Sequence, residues 1–146
     1  MTDDSQQAIE RKMLTALARR EYGYQELLDK FSSQFEPDEV REVLDRLTED
    51  NWQSDERYAQ SYTRSAVARG KGALFIRQSL RQNGVDEQWI NAALDEYDFY
   101  DLARQAFAKK YAKPPQEAKA LAKCQRFLAG RGFSFDQINH AIHHDD

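Results

Sequence analysis

One pattern occurs three times in this chain, and it limits the possible folds more than any other feature. Gly84 is followed at offsets of one, six and ten by Val85, Ile90 and Leu94. Gly132 is followed at the same offsets by Phe133, Ile138 and Ile142. About fifty residues before Gly84 lies Gln34, and Phe35, Val40 and Leu44 take the same three places. A recurrence of this length marks tandem structural repeats. The glycine reads as a helix C-terminus, where a left-handed residue without Cβ is favoured. The next apolar residue stands just before an N-cap, which is Glu36, Asp86 or Ser134. Val40, Ile90 and Ile138 then fall at the fourth helical position. An apolar residue before the cap, packed on that position, is a hydrophobic staple and sets the angle of entry into the helix. Pro37 suits the first helical turn. Glu36 is a weaker cap than Asp or Ser. Gln34 in place of glycine predicts a first corner of different shape, and aligning the first repeat needs one inserted residue before it.

Each repeat also carries two earlier helices. In the first these are AIERKMLTALARR, with Ile9, Met13 and Leu17 or Ala16 inward, and YQELLDKF. In the second, Ser54 caps DERYAQSYTRSAVAR, with Tyr58, Tyr62 and Ala66 on one stripe, and ALFIRQSLRQN follows. In the third they are YDLARQAFAKKY, with Leu102, Ala106 and Phe107 inward, and EAKALAKCQRFLAGR. The expected fold is all-α: nine helices in three tandem three-helix repeats, spanning 1–52, 53–98 and 99–146. Units this small lean on their neighbours, so an elongated, curved molecule is expected. Trp52, Trp89 and most other aromatics are expected to pack in the core or between repeats.

Charge is sorted along the chain. The net charge is −4, yet residues 57–82 hold six Lys or Arg and no Asp or Glu. Residues 1–56 hold seven basic and fifteen acidic residues. Residues 83–101 hold six acidic and no basic residues, and 102–131 hold eight basic against one acidic. Pairing of each basic helix with an acidic neighbour is the plainer account. Against it, Arg77 and Arg81 stand four apart on one helix, where like charges oppose folding. Lys119 and Lys123 repeat that spacing. Such faces suit phosphates or acidic side chains.

Other chemistry finds little support. No apolar run approaches the roughly 20 residues of a membrane span. The opening MTDDSQQAIE is acidic and polar, unlike a secretory signal, and the single Cys124 allows no internal disulfide. A cytoplasmic protein is expected. No Gly-rich phosphate loop, catalytic triad or HExxH pattern is present. His140 and His144 are spaced to share a helix face, but a metal site needs further ligands, and a solvated helix end is the plainer reading. Cys124, beside Phe127 and Leu128, reads as a buried, inert thiol. An enzyme, a metal and a cofactor are not expected.

The stretch SDERYAQSYTRS from Ser54, with RGKGALFIRQSLRQNGV from Arg69, closely resembles the central motif of the RecX family, regulators of the bacterial RecA recombinase. KCQRFLAGRGFSFDQI from Lys123 resembles that family's C-terminal segment. Together they cover about two thirds of the chain, and the first repeat matches mainly in its helical pattern. Lys71 and Ala73 flank Gly72 where the family commonly has an aromatic residue and a proline, and NWQS stands where it often has a glycine and leucine. The resemblance implies a non-enzymatic modulator, and a monomer is expected. It would bind RecA and the RecA–single-stranded DNA filament, and inhibit ATPase, strand exchange and coprotease activity in recombination, repair and the SOS response. Weak direct nucleic-acid binding and no membrane association go with it. Within the motif the expected contacts are Arg64, Arg69, Lys71, Arg77 and Arg81, with Lys119, Lys123, Arg126 and Arg131 as the counterpart in the third repeat. The alternative is a helix-turn-helix regulator that reads duplex DNA.

Overall fold

A computed structural model describes residues 4–143. Among these residues there are nine α-helices and no strand. They are α1 (Asp4–Arg19), α2 (Tyr24–Ser32) and α3 (Pro37–Glu49); α4 (Asp55–Ala68), α5 (Ala73–Gln82) and α6 (Glu87–Leu94); and α7 (Phe99–Lys110), α8 (Ala118–Arg131) and α9 (Phe135–His143). Two compact units form. One takes the chain up to Ser61 together with Leu80–Ile90; the other takes Tyr62–Ser79 together with the chain from Asn91 onward.

In the first unit, α3 packs on both α1 and α2. Its Val40, Val43, Leu44 and Leu47 follow a helical period and are buried with Ile9, Met13, Leu27 and Phe31. Burial of each such side chain contributes about 1.5–3 kcal/mol. Phe35, before the Glu36 cap, packs against this cluster as a staple should. The Glu36 carboxylate accepts from the Glu39 N–H at 3.1 Å, so this weaker cap is used. Asp55 serves the same unit from the start of α4. Its Oδ1 accepts from the Tyr24 N–H at 2.9 Å, satisfying an orphan donor at the first turn of α2. Buried Gln53 donates to that same oxygen and to the Tyr22 carbonyl, and accepts from the Thr48 hydroxyl. Arg57 donates to Glu21 and to the carbonyls of Asn51 and Trp52. These contacts fix the turn between α3 and α4, where Asn51 holds a left-handed φ of 64°.

That turn corrects one expectation. Trp52 is 57% exposed, not packed. Arg57 holds the carbonyls at 51 and 52 in this turn, and the indole stands at the surface. Trp89 is half-buried, and Phe135 and Tyr100 are exposed.

In the second unit, α7 packs along α9, and α8 touches both. The buried stripe of α7 is Phe99, Ala103 and Phe107. Of the expected Leu102, Ala106 and Phe107, Phe107 is buried, whereas Leu102 and Ala106 lie one residue off this stripe and are only half-buried. Cys124, Leu128, Ile138, Ala141 and Ile142 complete the core. Two backbones cross here. Gly72 N–H donates to the Arg131 carbonyl at 2.7 Å, and Leu74 N–H to the Gly132 carbonyl at 2.9 Å. A Cβ on Gly72 would lie 2.5 Å from Gly132 backbone atoms, so no side chain fits.

The three repeated corners differ as the sequence predicts. Gly84 and Gly132 have φ of 74° and 103°. Beyond them, the Val85 N–H reaches the Leu80 carbonyl and the Phe133 N–H reaches that of Leu128, the six-to-one bond of a Schellman cap. At the first corner the Phe35 N–H instead bonds to the Phe31 carbonyl, and Ser33 ends α2 in right-handed geometry. Ser134 completes a reciprocal capping box with Gln137.

Candidate partner-binding site

The second unit holds a cleft of about 410 Å³. Four pieces of chain build it. Val67 and Ala68 come from the end of α4, and Arg69, Gly70 and Lys71 from the turn after it. Gly70 ends α4 at φ 83°, with the Lys71 N–H on the Ala66 carbonyl, so Arg69 and Lys71 flank one tight turn. Because α7 buries Phe99, Ala103 and Phe107, its adjoining face presents Leu102, Gln105, Ala106, Lys109 and Lys110 to the cleft. Phe127 and Arg131 of α8, with Phe133, close it.

Five cations therefore surround a floor of aliphatic and aromatic groups. No Asp or Glu is among the described residues that line it. Two of the cations contact neighbouring groups of the cleft. Arg131 Nη1 donates to the Arg69 carbonyl at 3.1 Å, and the Lys110 ammonium lies 4.0 Å from the Phe127 ring centre, a cation–π distance. Lys71 stands similarly over Phe75 at 4.6 Å. Cationic groups held close together without an anion form a field that favours an acidic ligand.

The structure brings Arg69, Lys71 and Arg131 of the expected contacts into this cleft. It places the others elsewhere. Arg64 is exposed on α4 and does not line it. Arg77 donates to Asn91 Oδ1 at 2.8 Å. Arg81 forms an ion pair with Glu87 at the start of the next helix, which is the pairing of a basic helix with an acidic neighbour that its charge pattern left open. Lys119 and Lys123 are exposed on α8. Arg126 borders a separate depression with Ala122, Phe135 and Ile138. Lys109 and Lys110 were missing from the expected set. The eight-to-one basic block at 102–131 held the signal, but the one-residue error in the buried face of α7 hid their direction.

Among the described residues no group of three His, Cys, Asp or Glu could hold a metal ion. The His140 ring meets Tyr100 edge-on at 5.4 Å, and His144 lies outside the described residues. Cys124 is buried. Burial pushes its thiol pKa up, against the opposing pull of a hydrogen bond with Tyr111 and the charge of Lys110. Such a thiol is a poor nucleophile. No helix among the described residues is long and apolar enough to cross a membrane.

Residues 54–94 match the family model of the second three-helix domain of RecX, and residues 96–142 match that of its third. The chain belongs to the RecX family. Regulatory protein RecX of Chromohalobacter salexigens is 39% identical over 131 residues, covering 88% of this chain and 86% of that protein. Regulatory protein RecX of Chromobacterium violaceum is 38% identical over 127 residues, covering 86% and 83%. A crystal structure of regulatory protein RecX superposes with a TM-score of 0.80 at 28% identity, over 96% of this chain and 72% of that one. Arg69 and Lys71 fall within the second-domain match, and Lys109, Lys110 and Arg131 within the third.

Proposed function

We propose that this chain regulates the RecA recombinase by binding RecA and its filament on single-stranded DNA, lowering ATPase, strand exchange and coprotease activity. Membership of the RecX family supplies the partner. The observation that carries the contact is the cleft, which gathers five cations and, among the described residues that line it, no carboxylate, in a chain of net charge −4. An acidic chain repels bare polyanions at long range, so a local cationic cleft favours a partner that fits it over any nucleic acid at hand. Arg64, Arg77, Arg81, Lys119, Lys123 and Arg126 are proposed as secondary contacts outside the cleft, Arg81 only where a partner displaces Glu87.

The test is RecA's ATPase on single-stranded DNA, with this protein titrated below one copy per RecA. The rate is expected to fall. Lys109→Glu with Lys110→Glu, both exposed in the fold, should raise the half-inhibitory concentration about tenfold, equivalent to about 1.4 kcal/mol of binding. No inhibition at any ratio by a folded protein with its cognate RecA overturns the reading. Tight, sequence-dependent binding to duplex DNA would then favour the helix-turn-helix alternative.

A further inference from the structure

The cleft is not only cationic, and its floor decides what it can hold. Val67, Leu102 and Ala106 are half-buried in it, beside the Phe127 ring. A groove that only followed a sugar–phosphate backbone would have no use for an aliphatic floor. Proteins that hold single strands combine cations with aromatic faces on which bases stack. Here those faces are committed. Phe127 carries the Lys110 ammonium at 4.0 Å and the Arg131 guanidinium at 5.4 Å, with Tyr111 against it at 6.3 Å in T-shaped geometry. Phe133 is 2% exposed. No other aromatic residue is among the described residues that line the cleft. A volume of about 410 Å³ has room for a side chain or two, not for a folded element.

We infer that the cleft takes an acidic peptide segment bearing one large apolar side chain. The carboxylates are held at the rim by Arg69, Lys71 and Lys109, and the apolar group rests on Val67, Leu102 and Ala106. The inference rests on the proposed function for the statement that the partner is a protein. It goes further in naming the ligand's chemistry. Charge complementarity selects the acid, and the floor selects the apolar anchor, as in interfaces where a seated side chain is ringed by polar contacts.

The test uses the full chain and fluorescence anisotropy. The probes are labelled octapeptides of Glu and Asp with one central residue, Leu, Phe or Ala, and an oligo-dT strand of similar charge. The Leu- or Phe-centred peptide is expected to bind about tenfold tighter than the Ala-centred one, the scale of discrimination by an apolar pocket. Ala106→Phe fills the floor and should erase that preference while leaving oligo-dT binding unchanged. Because Ala106 is half-buried, Ala68→Trp serves as a second variant at an exposed lining position. Equal binding of all three peptides overturns the inference. So does oligo-dT that displaces them and is itself weakened by both filling variants, since the cleft would then be a nucleic-acid site. Peptide preference without RecA inhibition would remove the proposed function alone. RecA inhibition without peptide preference would remove this inference alone.

Discussion

Tyr24 shows how a single side chain can tie stability to pH. Its hydroxyl donates to Asp45 Oδ1 at 2.6 Å. Burial, then that hydrogen bond, pushes its pKa from 10.0 to about 12. The fold favours the protonated phenol, whereas the unfolded chain releases the proton near 10. The contribution of Tyr24 is therefore complete below pH 10 and is lost as pH rises through about 12. Tyr24→Phe is expected to flatten the fall in urea midpoint across that window relative to the parent. An unchanged fall would show that other groups cause it. The same scale shows a limit of reading the sequence. A tryptophan is usually well buried, which is the ground for expecting Trp52 in the core or between repeats. It sits in a turn where Arg57 bonds two carbonyls and Asn51 is left-handed, and neither feature has a sequence pattern of its own. Asp55, by contrast, was legible as a motif residue but not in its role. It caps α2 from 31 residues away, and only the folded chain brings the two together.

At the scale of the element, the repeated corners were readable because their causes are local. A glycine, a staple and a cap lie within a few residues of one another, and Gln34 marked the odd corner correctly. The register of α7 was not readable. Leu102 and Ala103 are both apolar, and the choice between them depends on α9, which packs along α7 from more than thirty residues later. Local period gives a stripe with an uncertainty of about one residue, and long-range packing resolves it. The corners allow a paired test. Gly132→Ala places a Cβ 2.5 Å from the Phe75 Cβ at a φ of 103°. It should cost at least about 2 kcal/mol, since strained backbone alone costs 1–3 kcal/mol. Gln34→Gly restores the repeat's glycine where no left-handed φ exists. It should destabilise by about 0.4–1 kcal/mol through the unfolded chain's added freedom. Urea denaturation of both variants decides it. Stabilisation by Gln34→Gly would mean the first corner has the geometry of the other two.

Over the whole molecule, the charge blocks were visible in the sequence, but the group that forms the cleft was not. Arg69 and Arg131, 62 positions apart, meet through a hydrogen bond, and Lys109 and Lys110 join them from α7. Arg81, singled out for its like-charged neighbour, is paired with Glu87 instead. Counting charge along the chain finds basic helices; only folding shows which cations an acid leaves unanswered. This distinction sets a salt dependence. The Debye length is about 10 Å at 0.1 M salt and shorter above it, so charges spread over the chain are screened from one another while those around one cleft still act together. Regulation of RecA should therefore weaken as salt rises, with a slope set by the few cleft cations and not by all 21 basic residues. Lys109→Glu with Lys110→Glu should make the slope of log half-inhibitory concentration against log salt shallower. Arg11→Glu with Arg19→Glu, an equal change of charge at exposed positions on α1 outside the cleft, should leave the slope near that of the parent. If the two variants change the slope equally, the cations act as a diffuse field and the cleft has no special part in binding.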